Sequence, residues 1–109
     1  MAYSLIITER AEEQLDNIVI YLLDSLRSRQ GAVHFLNCVD DIYERLLDNP
    51  YQFPISNDGY LCSKGYREAI MVEMQYKMIF KVDDENIFIL GIFHDRENNI
   101  DKIKYWRAS

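Results

Sequence analysis

The stretch 75-QYKMIFKVDDENIFILGIFH-94 decides the fold. In its first part Tyr76, Met78, Phe80 and Val82 fall on one face, with Lys77 and Lys81 on the other. A period of two places one side of a strand on a core and the other side toward water. Asp83-Asp84-Glu85-Asn86 interrupts the apolar pattern and reads as a turn. So short a turn makes the flanking strands an antiparallel hairpin. The second strand, 87-IFILGIFH-94, is apolar on both sides and is expected to be central or covered on both faces. It runs directly into His94-Asp95-Arg96-Glu97. Either the strand simply reaches water there, or the polar cluster has work to do.

Upstream, 66-YREAIMV-72 gives another strand signal. Residues 49–65 hold both prolines, Pro50 and Pro54, with Asn57, Asp58, Gly59 and Gly65, and read as a long surface loop. Before it lie two helical patterns. Ala11, Leu15, Ile18, Leu22 and Leu26, with Val19 and Leu23, form an apolar stripe over about residues 9–26. Thr8 is its expected N-cap, and Glu9, Glu12 and Glu13 suit the positive end of the helix dipole. After a break at 27-RSRQGA-32, Val33, Leu36, Val39, Tyr43, Leu46 and Leu47 form a second stripe, which Asn49-Pro50 ends. The short link makes the pair an antiparallel hairpin. Residues 3-YSLIIT-8 open the chain as a strand, and residues 96–107 suit a closing helix. The order β-α-α-β-β-β-α is α+β, a helical hairpin packed on an antiparallel sheet.

With 109 residues, one domain over 1–109 is the expectation. The 49% hydrophobic and 13% aromatic content excludes a disordered chain. No apolar run reaches the roughly 20 residues of a membrane span, and MAYSLIITERAEEQ lacks the pattern of a signal peptide. Cys38 and Cys62 are expected as reduced thiols. The net charge is −6, and the acidity lies in residues 1–59, where ten acidic residues face four arginines. Residues 60–109 balance eight against eight. A phosphate contact therefore belongs in the second half, since neutralising phosphate supplies most non-specific nucleic-acid affinity.

Three groups of polar residues stand out there: Arg67 at the start of one strand, Lys77 and Lys81 on one side of the next, His94 and Arg96 at the end of the last. A planar guanidinium fork suits phosphate or carboxylate, and histidine moves protons near neutral pH. Each also has an ordinary structural role. His94 can bond a carbonyl, Arg67 can pair with Glu68 or Glu73, and the two lysines can be the wet side of an amphipathic strand. His34 and Cys38 have metal-ligand spacing, but two ligands without two more read as core packing, and no metal or cofactor is expected. Tyr21, Phe35, Tyr43, Phe80 and Phe88 read as core.

The series YSLIITERAEEQLDNIVIYL, LLDNP, KGYREAI and YKMIFKVDDENIFILGIFHDREN resembles the RelE/ParE superfamily of type II toxin–antitoxin toxins, also called plasmid stabilisation proteins. The strand ending in His-x-Arg resembles its ParE-like branch in particular. The resemblance implies a cytoplasmic toxin neutralised by a small antitoxin that folds on binding. It leaves a homodimer and a toxin–antitoxin hetero-oligomer both open. ParE-like members poison DNA gyrase without chemistry of their own, and this is the favoured expectation. The alternative is a RelE-like, ribosome-dependent mRNA interferase. In that case Arg67 would hold the scissile phosphate, His94 would move a proton and Arg96 would stabilise the transition state. Lys64, Lys77 and Lys81 would contact phosphate or target. The acidic balance, and Asp95 and Glu97 beside Arg96, speak against an RNA-cutting site. A member that has lost toxicity but still binds its antitoxin is a third reading.

Overall fold

The computed structural model describes residues 2–71 and 74–94. Its elements are β1 (Ser4–Ile7), α1 (Glu9–Ile20), α2 (Arg29–Asp48), a short α3 (Gly59–Ser63), β2 (Arg67–Met71), β3 (Tyr76–Asp83) and β4 (Asn86–His94). The expected closing helix, Arg96 and Glu73 lie outside the described residues.

Thr8 caps α1 as expected: its Oγ1 accepts the Ala11 N–H at 3.2 Å. The same hydroxyl donates to the Ile89 carbonyl at 2.7 Å, tying the helix start to β4. The regular helix stops at Ile20, and Tyr21–Ser25 continue as a π-helical turn. That turn rotates the end of the expected stripe outward, so Leu22 is buried while Tyr21, Leu23 and Leu26 are exposed. Tyr21 is thus not a core residue. The break before α2 is shorter than residues 27–32. Arg27 takes a left-handed φ of 49°, Ser28 caps α2, and Gly31 already lies in its first turn. A Cβ at Gly31 would sit 2.7 Å from the Ser28 Oγ, so glycine makes room for the cap.

The face that α2 buries is Ala32, Phe35, Val39, Ile42 and Leu46. Val33, Leu36 and Leu47, expected inside, are exposed. The helix carries two adjacent apolar stripes, and Phe35 selects between them by packing edge-on against Tyr76 at 5.3 Å. Burying one such large side chain contributes about 1.5–3 kcal/mol.

Residues 49–65 are more structured than a surface loop. Pro50–Gln52 form a 3-10 turn, and Asp58 caps α3 by accepting the Tyr60 and Leu61 amides. Phe53 and Leu61 are buried. Aromatic and aliphatic anchors among turn residues supply the burial that pattern-reading missed.

The strand order is β1-β4-β3-β2. β2, β3 and β4 are antiparallel neighbours, and β1 joins β4 in parallel, which makes the sheet mixed. β4 is central, in line with its apolar residues on both sides. Phe80 lies opposite Ile89 but Ile79 opposite Gly91, so Leu90 is an extra residue in β4. Because side chains alternate, this bulge exchanges the two faces. Ile87 and Ile89 point to the helices, and beyond the bulge Ile92 does so. Phe93 joins Leu61, Tyr66 and Ile79 on the opposite side. Among the described residues no helix is long and apolar enough to cross a membrane.

Candidate functional site

The sheet divides the candidate residues between its faces. In β2 and β3, Ala69, Met71, Tyr76, Met78 and Phe80 belong to the core under the helices. Arg67 pairs with Phe80 and therefore starts on that helix-facing side, as does His94, which pairs with Tyr76. Glu68, Lys77 and Lys81 alternate with them and occupy the other side.

Arg67 and His94 share a face but not a place. Across β3 they stand opposite Phe80 and Tyr76, four residues apart, or about 13 Å along the strand. Arg67 is held where it is. Its Nη1 donates to the Phe53 carbonyl at 2.7 Å, and its guanidinium lies 5.0 Å from the Tyr51 ring centroid. The segment around Ile55 also bridges to Arg67 along the outer edge of β2. Arg67 does not pair with Glu68, which points the other way. The His94 ring stands edge-on to Tyr76 with centroids 5.4 Å apart, extending the Phe35–Tyr76 contact into an aromatic row.

On the far face, Glu68 is buried and accepts the Ser56 hydroxyl at 2.8 Å. Lys77 reaches it at 3.7 Å, with only 15% of the lysine side chain exposed. Lys81 lies 5.9 Å from the Tyr66 ring, and Lys64, at the end of α3, lies 6.0 Å from the Tyr60 ring. Lysine ammoniums over aromatic faces form a basic, partly apolar surface. The structure therefore gathers Lys64 and Lys81 with the Lys77–Glu68 pair on one side and separates them from Arg67 and His94. Arg96 lies outside the described residues.

Sequence reasoning missed Arg45, Tyr51 and Phe53. Arg45 stacks 4.8 Å from the Phe53 ring centroid, so two guanidiniums contact one phenylalanine, Arg45 through its ring and Arg67 through its carbonyl. Only the aromatic residues between the two prolines hinted at this cluster. Of His34 and Cys38, read as core, Cys38 packs partly buried against the core while His34 is exposed, and both line an open groove between α2 and β2. Among the described residues no group of three or more potential metal ligands forms. Tyr43 packs partly buried against the core, with its hydroxyl unpartnered among the described residues. Burial first, then the charges of Asp40 and Glu12, push its phenol up to about 12.

A helical hairpin on a four-stranded mixed sheet, with an aromatic–arginine cluster on one face and lysines on the other, is the architecture of a small α+β protein. The family model of the ParE toxin of type II toxin–antitoxin systems, parDE, matches residues 5–99, and the chain belongs to that family. It is the toxin component of a type II pair, and an antitoxin is its partner. The fold is shared with a chain of the chromosomal ParDE toxin–antitoxin system from P. aeruginosa. That match has a TM-score of 0.68 at 21% identity, and covers 84% of this chain and 95% of the other. A conserved hypothetical protein from Helicobacter pylori matches with a TM-score of 0.55 at 17% identity, over 89% of this chain and 98% of its own. No curated protein matches.

Proposed function

We propose that this toxin acts in the cytoplasm by binding DNA gyrase, as a protein ligand that performs no chemistry of its own. The observation that carries this reading is the placement of Arg67. A ribonuclease built on Arg67 and His94 needs both side chains at one phosphate, within hydrogen-bond reach. Here Arg67 is engaged by the Phe53 carbonyl and the Tyr51 ring, about 13 Å along the sheet from the position of His94. Its role in this reading is to hold the 50–56 segment against β2. The net charge of −6 supports the same choice, since gripping RNA needs an excess of cations.

The antitoxin in this reading covers apolar surface. Ile20, Tyr21, Leu23, Leu26 and Val33 are all exposed around the turn of the helical hairpin. A segment that folds on binding buries such residues along an amphipathic helix, and apolar burial supplies affinity that an acidic toxin surface does not oppose.

The test is induction of the chain alone in bacteria, with separate readouts. DNA breaks, filamentation and intact messages are expected, together with inhibition of supercoiling by purified gyrase. Rapid translation arrest with cut messages would instead establish the ribonuclease. No growth effect, with gyrase unaffected in vitro, would point to a member that keeps only its antitoxin.

A further inference from the structure

We propose that Cys38 is a thiol-modification site, with His34 as its base and the disulfide of a small zwitterionic thiol as its co-reactant. The proposal is independent of the toxin's target. His34 and Cys38 lie one helical turn apart on α2, and the Cys38 Sγ is 3.8 Å from the His34 Nε2. An imidazole at that distance can take the thiol proton, and the thiolate is the nucleophile in disulfide exchange.

Both side chains line an open groove of about 330 Å³ between α2 and β2, so a small reagent has room beside the sulfur. The groove is also lined by Asp41 and Arg45, on the same side of α2. These two lie 3.9 Å apart with side chains 65% and 50% exposed, and the Phe53 ring and the Gln52 Oε1 hold the Arg45 guanidinium in place. A cation and an anion within reach of the thiol suit a molecule that carries both an ammonium and a carboxylate. Apolar Ile42 and Ile70 provide the rest of the lining.

The step is simple exchange. The Cys38 sulfur, its proton passed to His34, attacks one sulfur of the disulfide. A Cys38–S–S–R bond forms, the R–S–S–R bond breaks, and the released thiolate takes up the proton. Cys38 is oxidised and one sulfur of the reagent is reduced, so the balance closes with no other reactant. The adduct occupies the groove beside Ile70 and Met71 of β2.

Cys62 is an internal control. It is the more exposed of the two thiols, and its side chain makes no hydrogen bond among the described residues. The full chain is incubated at neutral pH with glutathione disulfide, quenched in acid at intervals and mapped by mass spectrometry. Cys38 is expected to react about tenfold faster than Cys62 despite its lower exposure, because activation outweighs access. In His34→Gln, an exposed substitution whose fold is checked by circular dichroism, the Cys38 rate falls to that of Cys62 or below while Cys62 is unchanged. With neutral hydroxyethyl disulfide the preference for Cys38 narrows. Faster reaction at Cys62, or an unchanged Cys38 rate in folded His34→Gln, overturns the proposal.

Discussion

Gln14 accepts the backbone N–H of Ile92 through its Oε1 at 3.0 Å, at the point where β4 has gained one residue on β3. A helix side chain thus bonds a β4 amide beyond Ile89, where the pairing with β1 ends. The bulge decides which way the last residues of β4 face, and hence that His94 stands against Tyr76. Gly91 makes the approach possible, because a Cβ there would lie 2.8 Å from the Gln14 Oε1 and 2.7 Å from the Phe93 ring. Gly91→Ala is expected to destabilise the protein by about 1–3 kcal/mol through overpacking. Urea denaturation measures it, and a variant as stable as the parent would show that the bulge relaxes freely.

The Glu68–Lys77 pair predicts a coupled response. Removing Glu68 takes a buried carboxylate away from the mostly buried Lys77 ammonium and frees the Ser56 hydroxyl that anchors the approach to α3. Glu68→Ala is expected to cost about 3 kcal/mol, at the low end for a buried pair because 3.7 Å is long and Lys77 keeps some exposure. Adding Lys77→Met should restore part of the loss. Equal stability of the single and double variants would mean that the pair contributes nothing.

Tyr43 ties stability to alkaline pH. Its phenol is raised from 10.0 to about 12 in the folded protein, by burial and then by Asp40 and Glu12. The folded state therefore holds this proton more tightly than the unfolded state. The contribution is complete below pH 10 and is lost as pH rises through about 12. Tyr43→Phe removes that loss and an unpartnered buried hydroxyl together. It should leave neutral-pH stability unchanged or raise it by about 1 kcal/mol. It should also move the alkaline unfolding midpoint upward. A downward shift in the midpoint would show that the hydroxyl has a partner after all.

Toxicity should separate from the residues that a ribonuclease would use. His94→Gln is expected to keep full growth inhibition. Arg67→Ala loses the bond to the Phe53 carbonyl and the Tyr51 stack, at a cost of about 2 kcal/mol in stability. Its toxicity should fall only as its folded fraction falls. Growth curves, scaled by the folded fraction from thermal melts, make the comparison. Loss of toxicity in well-folded variants of both residues would return the mechanism to RNA cleavage.

Read alone, the sequence determined the elements whose patterns are local. Alternation over residues 76–82, the apolar run 87–93 and the Asp-rich turn between them specify the central hairpin, because side-chain period and turn length need no distant partner. Thr8 announced its helix for the same reason: a cap acts on the amide three residues on. Tertiary structure decided whatever depended on a choice between near-equal local options. Two apolar stripes on α2 differ by one position, and only the packing of Phe35 on Tyr76 chose between them. Phe53 and Leu61 had no periodic signal, so their burial against the sheet was invisible until the sheet existed. The faces of the candidate residues were hidden in the same way. One extra residue at Leu90 exchanges the two sides of β4, and the register across β3 separates Arg67 from His94. Register is a property of two strands together, and neither strand's sequence states it.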